Sequence, residues 1–267
     1  SGLIEKQLLS YMFRVNYDYN NKYLLTVSGR WDGASQLAEG NKWAFFPSAA
    51  LGWRLDQEEF LKDVTWLNQL KFRLGVGVTG NSAIDPYQTK GAIVSLYYPF
   101  GSALAPGYAA SEPLIKDGAV AMANKNLSWE KTTQYNIGLD YSVLNGRISG
   151  VLDFYTSRTT DLLMAMTIPS LNGYTNTYAN VGKTSNIGVD ITLNTVNVKT
   201  RDFEWSTSIN AAWQKDKIDE LANGKEDDIN NNWFIGQALG VIYGYECGGL
   251  WKEEDAAEMA KFNAKGH

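Results

Sequence analysis

The feature that most constrains the fold is a strict alternation of apolar and polar residues over unusually long stretches. It is clearest between Thr132 and Thr156, where every second residue from Tyr135 to Val143 is apolar and its neighbours are polar or glycine. Such a period of two indicates a β-strand whose two faces meet different surroundings. Asn145-Gly146 then predicts a type I′ turn, after which the alternation resumes. Each arm is about ten residues or longer, which exceeds an ordinary globular strand and matches a strand that crosses a membrane.

The same alternation predicts strands along most of the chain. They are expected at Tyr11–Tyr19, Tyr23–Trp31, Trp43–Arg54, Leu70–Thr79, Asn186–Asn194 and Phe203–Trp213, with a ninth strand at Leu239–Trp251. Pro47 lacks an N–H group, so an edge or a bulge is expected there. One or two helical turns are predicted at Asp56–Asp63, and Glu253–Ala264 is expected to be helical or irregular. The segments 80–130 and 161–180 are expected to be long loops.

The connections between these strands alternate in length. They are short at 20–22, 145–146 and 197–202, intermediate at 56–69, and long at 32–42, 80–130, 159–180 and 217–232. Short turns on one rim and long loops on the other are typical of an outer-membrane barrel, with the short turns periplasmic. The fold class predicted is therefore all-β, an antiparallel up-and-down transmembrane β-barrel of which about 8–9 strands are present.

Composition alone favours a different conclusion. The mean hydropathy is −0.29 and the net charge −5, values of an ordinary soluble protein, and no apolar run approaches the ~18 residues of a membrane-spanning helix. A barrel strand, however, presents only every second residue to lipid, so its hydropathy averages out. The 9 Trp and 15 Tyr residues suit membrane interfaces, sugar-binding surfaces and protein interfaces alike.

Little in the sequence suggests chemistry. Cys247 is the only cysteine and His267 the only histidine, so an intrachain disulfide and histidine-based catalysis or metal binding are excluded. The slight acidity, without a basic run, argues against nucleic acid. Asp227-Asp228 suggests a cation site, although a solvated loop tip is the favoured interpretation. No catalytic residue, cofactor or metal is expected.

The two faces of the predicted strands differ sharply in charge. The polar face is expected to line a watery or plugged lumen with Arg14, Arg30, Lys71, Arg73, Gln134, Asn136, Asp140, Asp153, Asp190 and Glu204. The apolar face is expected to meet lipid with Tyr135, Ile137, Leu139, Tyr141, Leu152 and Phe154. Aromatic residues gather near both strand ends, as in the two aromatic girdles of a membrane barrel.

Two other interpretations of the sequence account for parts of this pattern. A soluble β-sandwich also alternates, and would make the protein a soluble or surface-exposed carbohydrate-binding module with its aromatics as a sugar platform. A passive porin is a third possibility. Sandwich strands are shorter, however, and their connections need not alternate in length.

Seven segments resemble the barrel of SusC/RagA-type TonB-dependent outer-membrane transporters, in the order of that family. They are RVNYDYNNKYLLTVSGRWDGAS (14–35), FPSAALGWRL (46–55), LKFRLGVGVTGN (70–81), NLSWEKTTQYNIGLDY (126–141), TDLL (160–163), NVGKTSNIGVDITL (180–193) and IGQALGVIYGY (235–245).

The resemblance implies a function and partners. Such transporters are barrels of about 22 strands with a plugged lumen, and they import glycans or peptides with energy supplied by TonB and a SusD-like surface lipoprotein as the lid. It places the protein in the outer membrane of a Gram-negative bacterium, in contact with membrane lipid. Residues 1–267 are then expected to be a section of the C-terminal barrel domain, with the plug domain and the closing strands absent from this chain. Tyr97, Tyr98, Phe100 and Tyr108, in the longest loop, are candidate contacts for substrate or lid, with loop self-packing as the alternative.

Overall fold

The computed structural model describes residues 4–87, 89, 92–101, 103–111, 115–116, 119–169, 171 and 176–244. Helical structure in this part of the chain includes 3-10 turns at Leu55–Gln57, Glu59–Leu61 and Ile229–Asn231. None of its helices is long and apolar enough to cross a membrane.

Eight long strands form one antiparallel sheet. In sheet order they are β1 (Leu8–Tyr19), β2 (Tyr23–Ala34), β3 (Trp43–Arg54), β4 (Leu67–Asn81), β9 (Glu130–Val143), β10 (Ile148–Thr160), β13 (Lys183–Lys199) and β14 (Glu204–Glu220). Each has 12 to 17 residues, more than the ~9–11 that cross a bilayer at a tilt. The first eight predicted strands are confirmed. The sheet is not closed: within the described residues β1 and β14 each pair on one side only.

The tight turns have the backbone that the sequence predicts. Asn145 (φ 56°) and Gly146 (φ 79°) both have positive φ, as does Leu144 before them. Asn20 and Asn21, each at φ 54°, make the corresponding turn between β1 and β2. Both turns lie on the same rim of the sheet as Arg201-Asp202, between β13 and β14, and we call this the short-turn rim.

Pro47 is the residue at which one ladder ends. It pairs with Gly29 on β2, whereas the pairing of β3 with β4 runs only from Ser48 to Arg54. Because proline has no N–H to donate, it is tolerated where a strand has an unpaired side. The expectation of an edge at Pro47 is confirmed.

The prediction of a structureless loop at 80–130 is wrong. β5 (Ala92–Phe100) and β6 (Ala103–Ser111) form a separate hairpin, followed by β7 (Ile115–Lys116) and β8 (Ala119–Met122). Pro99 on β5 and Pro106 on β6 are compatible with this pairing, because both strands of a two-stranded sheet are edges.

Two further expectations need correction. The loop 161–180 contains β11 (Leu163–Thr167) and β12 (Asn176–Asn180), and β12 pairs in parallel with β8. The predicted ninth strand is wrong in its described part, since residues 239–244 are irregular. Residues 245–251 and the segment Glu253–Ala264 lie outside the described residues.

The helical prediction at Asp56–Asp63 holds as two short 3-10 turns. Asp56 does not cap either turn. Its carboxylate instead accepts hydrogen bonds from the Leu70 N–H (3.2 Å) and from Arg54 (2.8 Å), which ties the connection to the start of β4.

The main buried cluster lies at the opposite rim, the long-loop rim, on the polar side of the sheet. It consists of Ala34, Leu37, Phe46, Ile84, Leu127 and Trp129. Phe46 pairs with Arg30 and therefore points to the polar face. The long loops thus fold inward over this face at the rim.

Candidate functional site

The predicted lining residues segregate onto two faces. Directly opposed residues of an antiparallel pair share a face, so the register assigns each side chain. All ten residues predicted to line a lumen fall on one face and all six predicted to meet lipid on the other. The assignment of these faces to lumen and lipid stays a prediction.

The apolar face is continuous and exposed across all eight strands. One row runs Tyr17, Leu25, Leu51, Leu74, Ile137, Phe154, Val189 and Trp213. Ile137 is 46% exposed and Leu51 54% exposed. An uncovered apolar surface of this extent is not stable against water and marks a membrane or an interaction surface.

Aromatic rings mark both ends of this face. At the short-turn rim Tyr19, Tyr23 and Trp53 stack in series, with 6.5 Å between neighbouring ring centroids. At the long-loop rim Tyr11 stacks on Trp43 at 6.1 Å. Rings with one polar atom are typical of membrane interfaces.

A carboxylate fixes the aromatic stack at the short-turn rim. Glu58 Oε1 accepts hydrogen bonds from the Tyr23 hydroxyl (2.8 Å) and from Trp53 Nε1 (3.0 Å), and Lys22 Nζ lies 3.4 Å from Oε2. The bond from Trp53, and then that from Tyr23, lowers the pKa of Glu58 below its ordinary value. Glu58 therefore stays ionised and holds both rings by their polar atoms.

The polar face contains an ion-pair cluster that spans three strands. Arg73 on β4 donates from Nε to Asp140 on β9 (2.9 Å) and from Nη2 to Asp153 on β10 (3.0 Å). It reaches Asp153 across Gly138, whose missing side chain leaves the space: a Cβ there would lie 2.6 Å from Arg73 Cζ. The side chains are 23–30% exposed. Arg73 therefore pairs with two carboxylates, and Asp190 on β13 is the register partner of Asp153 on the same face.

Hydrogen bonds between hydroxyl groups also link neighbouring strands on the polar face. Ser28 and Ser48 hydroxyls lie 2.7 Å apart, and those of Thr132 and Thr159 2.8 Å apart. Such a surface is compatible with water in a lumen, as the polar interior of a large barrel is.

At the long-loop rim the connections pack together around Trp129 and Phe46, and we call this packed region the platform. Trp129 is 4% exposed, packs edge-on against Phe46 with 5.2 Å between ring centroids, and donates from Nε1 to the Lys42 carbonyl (2.8 Å). Asn180 Nδ2 donates to the Ser128 carbonyl (2.8 Å), and Asn180 Oδ1 accepts from the Ser128 N–H (2.7 Å). Three long connections are thereby joined.

A polar groove of about 640 Å³ lies beside this platform. Its walls include Gln36, Lys42, Tyr87 and Lys125. Gln36 is almost fully buried; its Nε2 donates to the Ser82 carbonyl (2.8 Å), whereas its Oε1 has no donor among the described residues. Tyr87 is 41% exposed and its hydroxyl accepts from the Glu5 N–H. The groove offers one aromatic face and several polar groups at the rim.

Sequence reasoning missed Gln36 and Tyr87. Their loops carry no alternation, and the only signal was an aromatic residue directly after Pro86. The aromatic residues that were predicted, Tyr97, Tyr98, Phe100 and Tyr108, have their backbones in the β5–β6 hairpin, where Tyr97 pairs with Pro106. Their side chains lie outside what the structure describes.

The acidic loop predicted as a possible cation site satisfies its own hydrogen bonds. Asp227 Oδ1 accepts from the Ile235 N–H (2.7 Å), and Asp228 Oδ2 accepts from Asn231 Nδ2 (2.7 Å). Within the described residues no group of three or more His, Cys, Asp or Glu side chains is placed to hold a metal ion.

The long antiparallel strands, the two-faced sheet and the aromatic bands define a section of a transmembrane β-barrel. Residues 4–251 match the family described as "TonB dependent receptor-like, beta-barrel". This chain belongs to that family, and the resemblance inferred from its sequence motifs is confirmed.

The relatives agree with this membership. The chain is 41% identical over 231 residues to the TonB-dependent receptor SusC of Bacteroides thetaiotaomicron, a match that covers 83% of this chain and 22% of that protein. It is 34% identical over 263 residues to the TonB-dependent receptor P26 of Formosa agariphila, covering 95% of this chain and 26% of that protein. Neither protein is named as an enzyme.

Solved structures show the same fold. The structure of the RagAB peptide transporter matches with a TM-score of 0.74 and 29% identity, over 87% of this chain and 25% of that chain. This chain spans about a quarter of the length of these relatives. TonB-dependent receptors of this type are outer-membrane barrels of Gram-negative bacteria, and this chain is an outer-membrane segment.

Proposed function

We propose that this chain forms part of the barrel wall of an active importer that takes up oligomeric nutrients, glycans or peptides, across the outer membrane. The observation that supports this best is the family match together with a sheet whose two faces differ sharply in charge. The proposal extends to residues 1–267 as a section of the C-terminal barrel domain, with the plug and closing strands supplied by other parts of the protein.

In this proposal the apolar face meets lipid and the polar face lines the lumen. Tyr135, Ile137, Leu139, Tyr141, Leu152 and Phe154 contact acyl chains, and the row that contains Arg73, Asp153 and Asp190 faces water or a plug. Asn145-Gly146 is then a periplasmic turn, because short turns are periplasmic in such barrels. The platform of Trp129 and Phe46 lies on the extracellular side.

The long-loop rim is the part of this chain proposed to meet substrate or a lid. Its loops are held by a buried cluster, and binding residues concentrate on loops that a rigid scaffold positions. SusC and the RagAB transporter are the relatives that suggest a SusD-like surface lipoprotein as lid and TonB as energy source. The RagAB structure is named a peptide transporter. The proposal therefore includes peptides as well as glycans as substrates.

Uptake in the native host tests this function. The gene for the full-length protein is deleted, and the uptake of labelled oligosaccharide and oligopeptide mixtures is compared with the parent strain and with a strain that carries the restored gene. Loss of uptake of one class, recovered on restoration, supports the proposal. Unchanged uptake of both classes while the protein is present in the parent outer membrane would exclude it.

A further inference from the structure

We infer that the apolar face carries a lipid-binding groove at the short-turn rim, which takes one acyl chain of a phospholipid whose headgroup bears a primary ammonium. The groove crosses β1 to β4 and has a volume of about 420 Å³. The inference rests on the proposed orientation of the sheet, with its apolar face toward lipid.

The shape of the groove follows from the size of neighbouring side chains. Leu25 and Leu51, a cross-strand pair, are smaller than the rings that flank them. Tyr17 bounds the groove on β1, while Tyr23 and Trp53 stand one row closer to the rim. The depression is lined by hydrocarbon and aromatic surface and opens onto the apolar face, which suits a hydrocarbon chain.

Charged groups meet the end of the groove at the rim. Tyr23 and Trp53, which line the groove, both donate to Glu58 Oε1. Glu58 Oε2 has one contact among the described side chains, Lys22 Nζ at 3.4 Å. An ionised carboxylate has about four lone-pair positions, so Oε2 has room for a further donor. Lys22 supplies a cation next to it.

This pairing of charges selects the occupant. A carboxylate and an ammonium group side by side complement a headgroup that has its own ammonium and phosphate. A primary ammonium donates N–H groups to Glu58, whereas a quaternary choline group has none to donate. A sugar would leave its hydroxyls without partners in an apolar lining, at a substantial desolvation cost. The level of the groove agrees with a lipid, because tyrosine and tryptophan gather where headgroups lie.

Brominated phospholipids test the groove in the full-length protein. The protein is placed in phosphatidylcholine nanodiscs with an equal small fraction of a lipid brominated on its acyl chains, bearing an ethanolamine, choline or glycerol headgroup. The quenching of Trp53 fluorescence is obtained by subtracting the Trp53→Phe variant. The ethanolamine lipid is expected to occupy the groove about threefold more than the other two, the ratio that one partly exposed ion pair supplies.

Variants separate the chain contact from the headgroup contact. Glu58→Gln keeps an oxygen for Tyr23 and Trp53 but loses the charge, so the three lipids should quench equally. Leu51→Phe fills the floor and should reduce quenching by every lipid. Leu152→Phe, on the same face but on β10, should leave it unchanged.

Two results would overturn the inference in different ways. Equal quenching of wild-type Trp53 by the three lipids would show that this is an unselective position in the lipid annulus, with the orientation intact. Absence of quenching by every brominated lipid would show that the face is turned away from the bilayer, and the proposed orientation would fail with it.

Discussion

Gly138 lies directly beneath the guanidinium group of Arg73, and a Cβ at residue 138 would come within 2.6 Å of both Cζ and Nη2. The absent side chain is what allows Arg73 to cross β9 and reach Asp153. Gly138→Ala should therefore displace Arg73 and weaken both ion pairs. The expected loss is about 1 kcal/mol in the free energy of unfolding, because the pairs are partly exposed and the arginine is flexible. Urea unfolding of the full-length protein measures this.

Gly75→Ala provides the matched control on the same face. A Cβ there would meet only Asn136 Cβ at 3.9 Å, an ordinary contact. Its stability should equal or slightly exceed that of the wild type, since alanine restricts the unfolded chain more than glycine does. Equal losses in the two variants would show that Arg73 does not depend on the space at Gly138.

Arginine substitutions test which face meets lipid. Ile137 lies between Leu74 and Phe154 near the middle of β9, and Ile137→Arg should destabilise the barrel by roughly 2–4 kcal/mol near the bilayer midplane. Asn136→Arg, one residue away on the polar face, should be tolerated. The measurement is refolding into lipid vesicles across a urea series. Similar damage from both substitutions would contradict the orientation.

The long-loop platform should depend on Trp129. Trp129→Ala removes the ring that packs on Phe46 and should cost about 3–5 kcal/mol of local stability. Trp129→Phe keeps an aromatic ring but removes one of the two donors to the Lys42 carbonyl, which still accepts from the Ala34 N–H, and should cost about 0.5–1.5 kcal/mol. Limited proteolysis of residues 35–42 reports the local opening. Trp66→Phe, at an exposed position on the other rim, should cleave at the wild-type rate.

The short-turn rim should loosen only at acid pH. Glu58 has a pKa below its ordinary value because it accepts hydrogen bonds from Trp53 and Tyr23. A carboxylate of this kind stabilises the fold fully above its unfolded pKa of about 4.3 and loses that contribution as the pH falls through the lower folded value. The Trp53 emission should therefore change below about pH 4. Glu58→Gln should show no such transition, and a wild-type transition between pH 5 and 7 would contradict the assignment.

Local rules account for what could be predicted from the sequence. The side chains of a strand alternate between two faces whatever its neighbours are, so the apolar row from Tyr135 to Tyr141 could be assigned before any pairing was known. Positive φ at Asn145 and Gly146 follows from the same kind of local preference. The hairpin β5–β6 was missed because its strands do not alternate between apolar and polar residues and contain Pro99 and Pro106.

Contacts between distant segments could not be predicted. Arg73 and Asp153 are 80 residues apart in the sequence. They meet because β4 pairs with β9, which pairs with β10, although β5–β8 lie between β4 and β9 in the chain. Trp129 and its partner Phe46 stand in two separate recognised motifs, Trp129 just before β9 and Phe46 on β3. Nothing in the local pattern of either residue indicates the packing, since it depends on how three loops fold together.

The parallel pairing of β8 with β12 has a mechanical consequence. Together with the hydrogen bonds between Ser128 and Asn180, it links the connection between β4 and β9 to the connection between β10 and β13. These two segments leave the sheet at different strands, so neither can swing outward without pulling on the other. A displacement of one connection is therefore transmitted to the other, and the two connections move as a single unit.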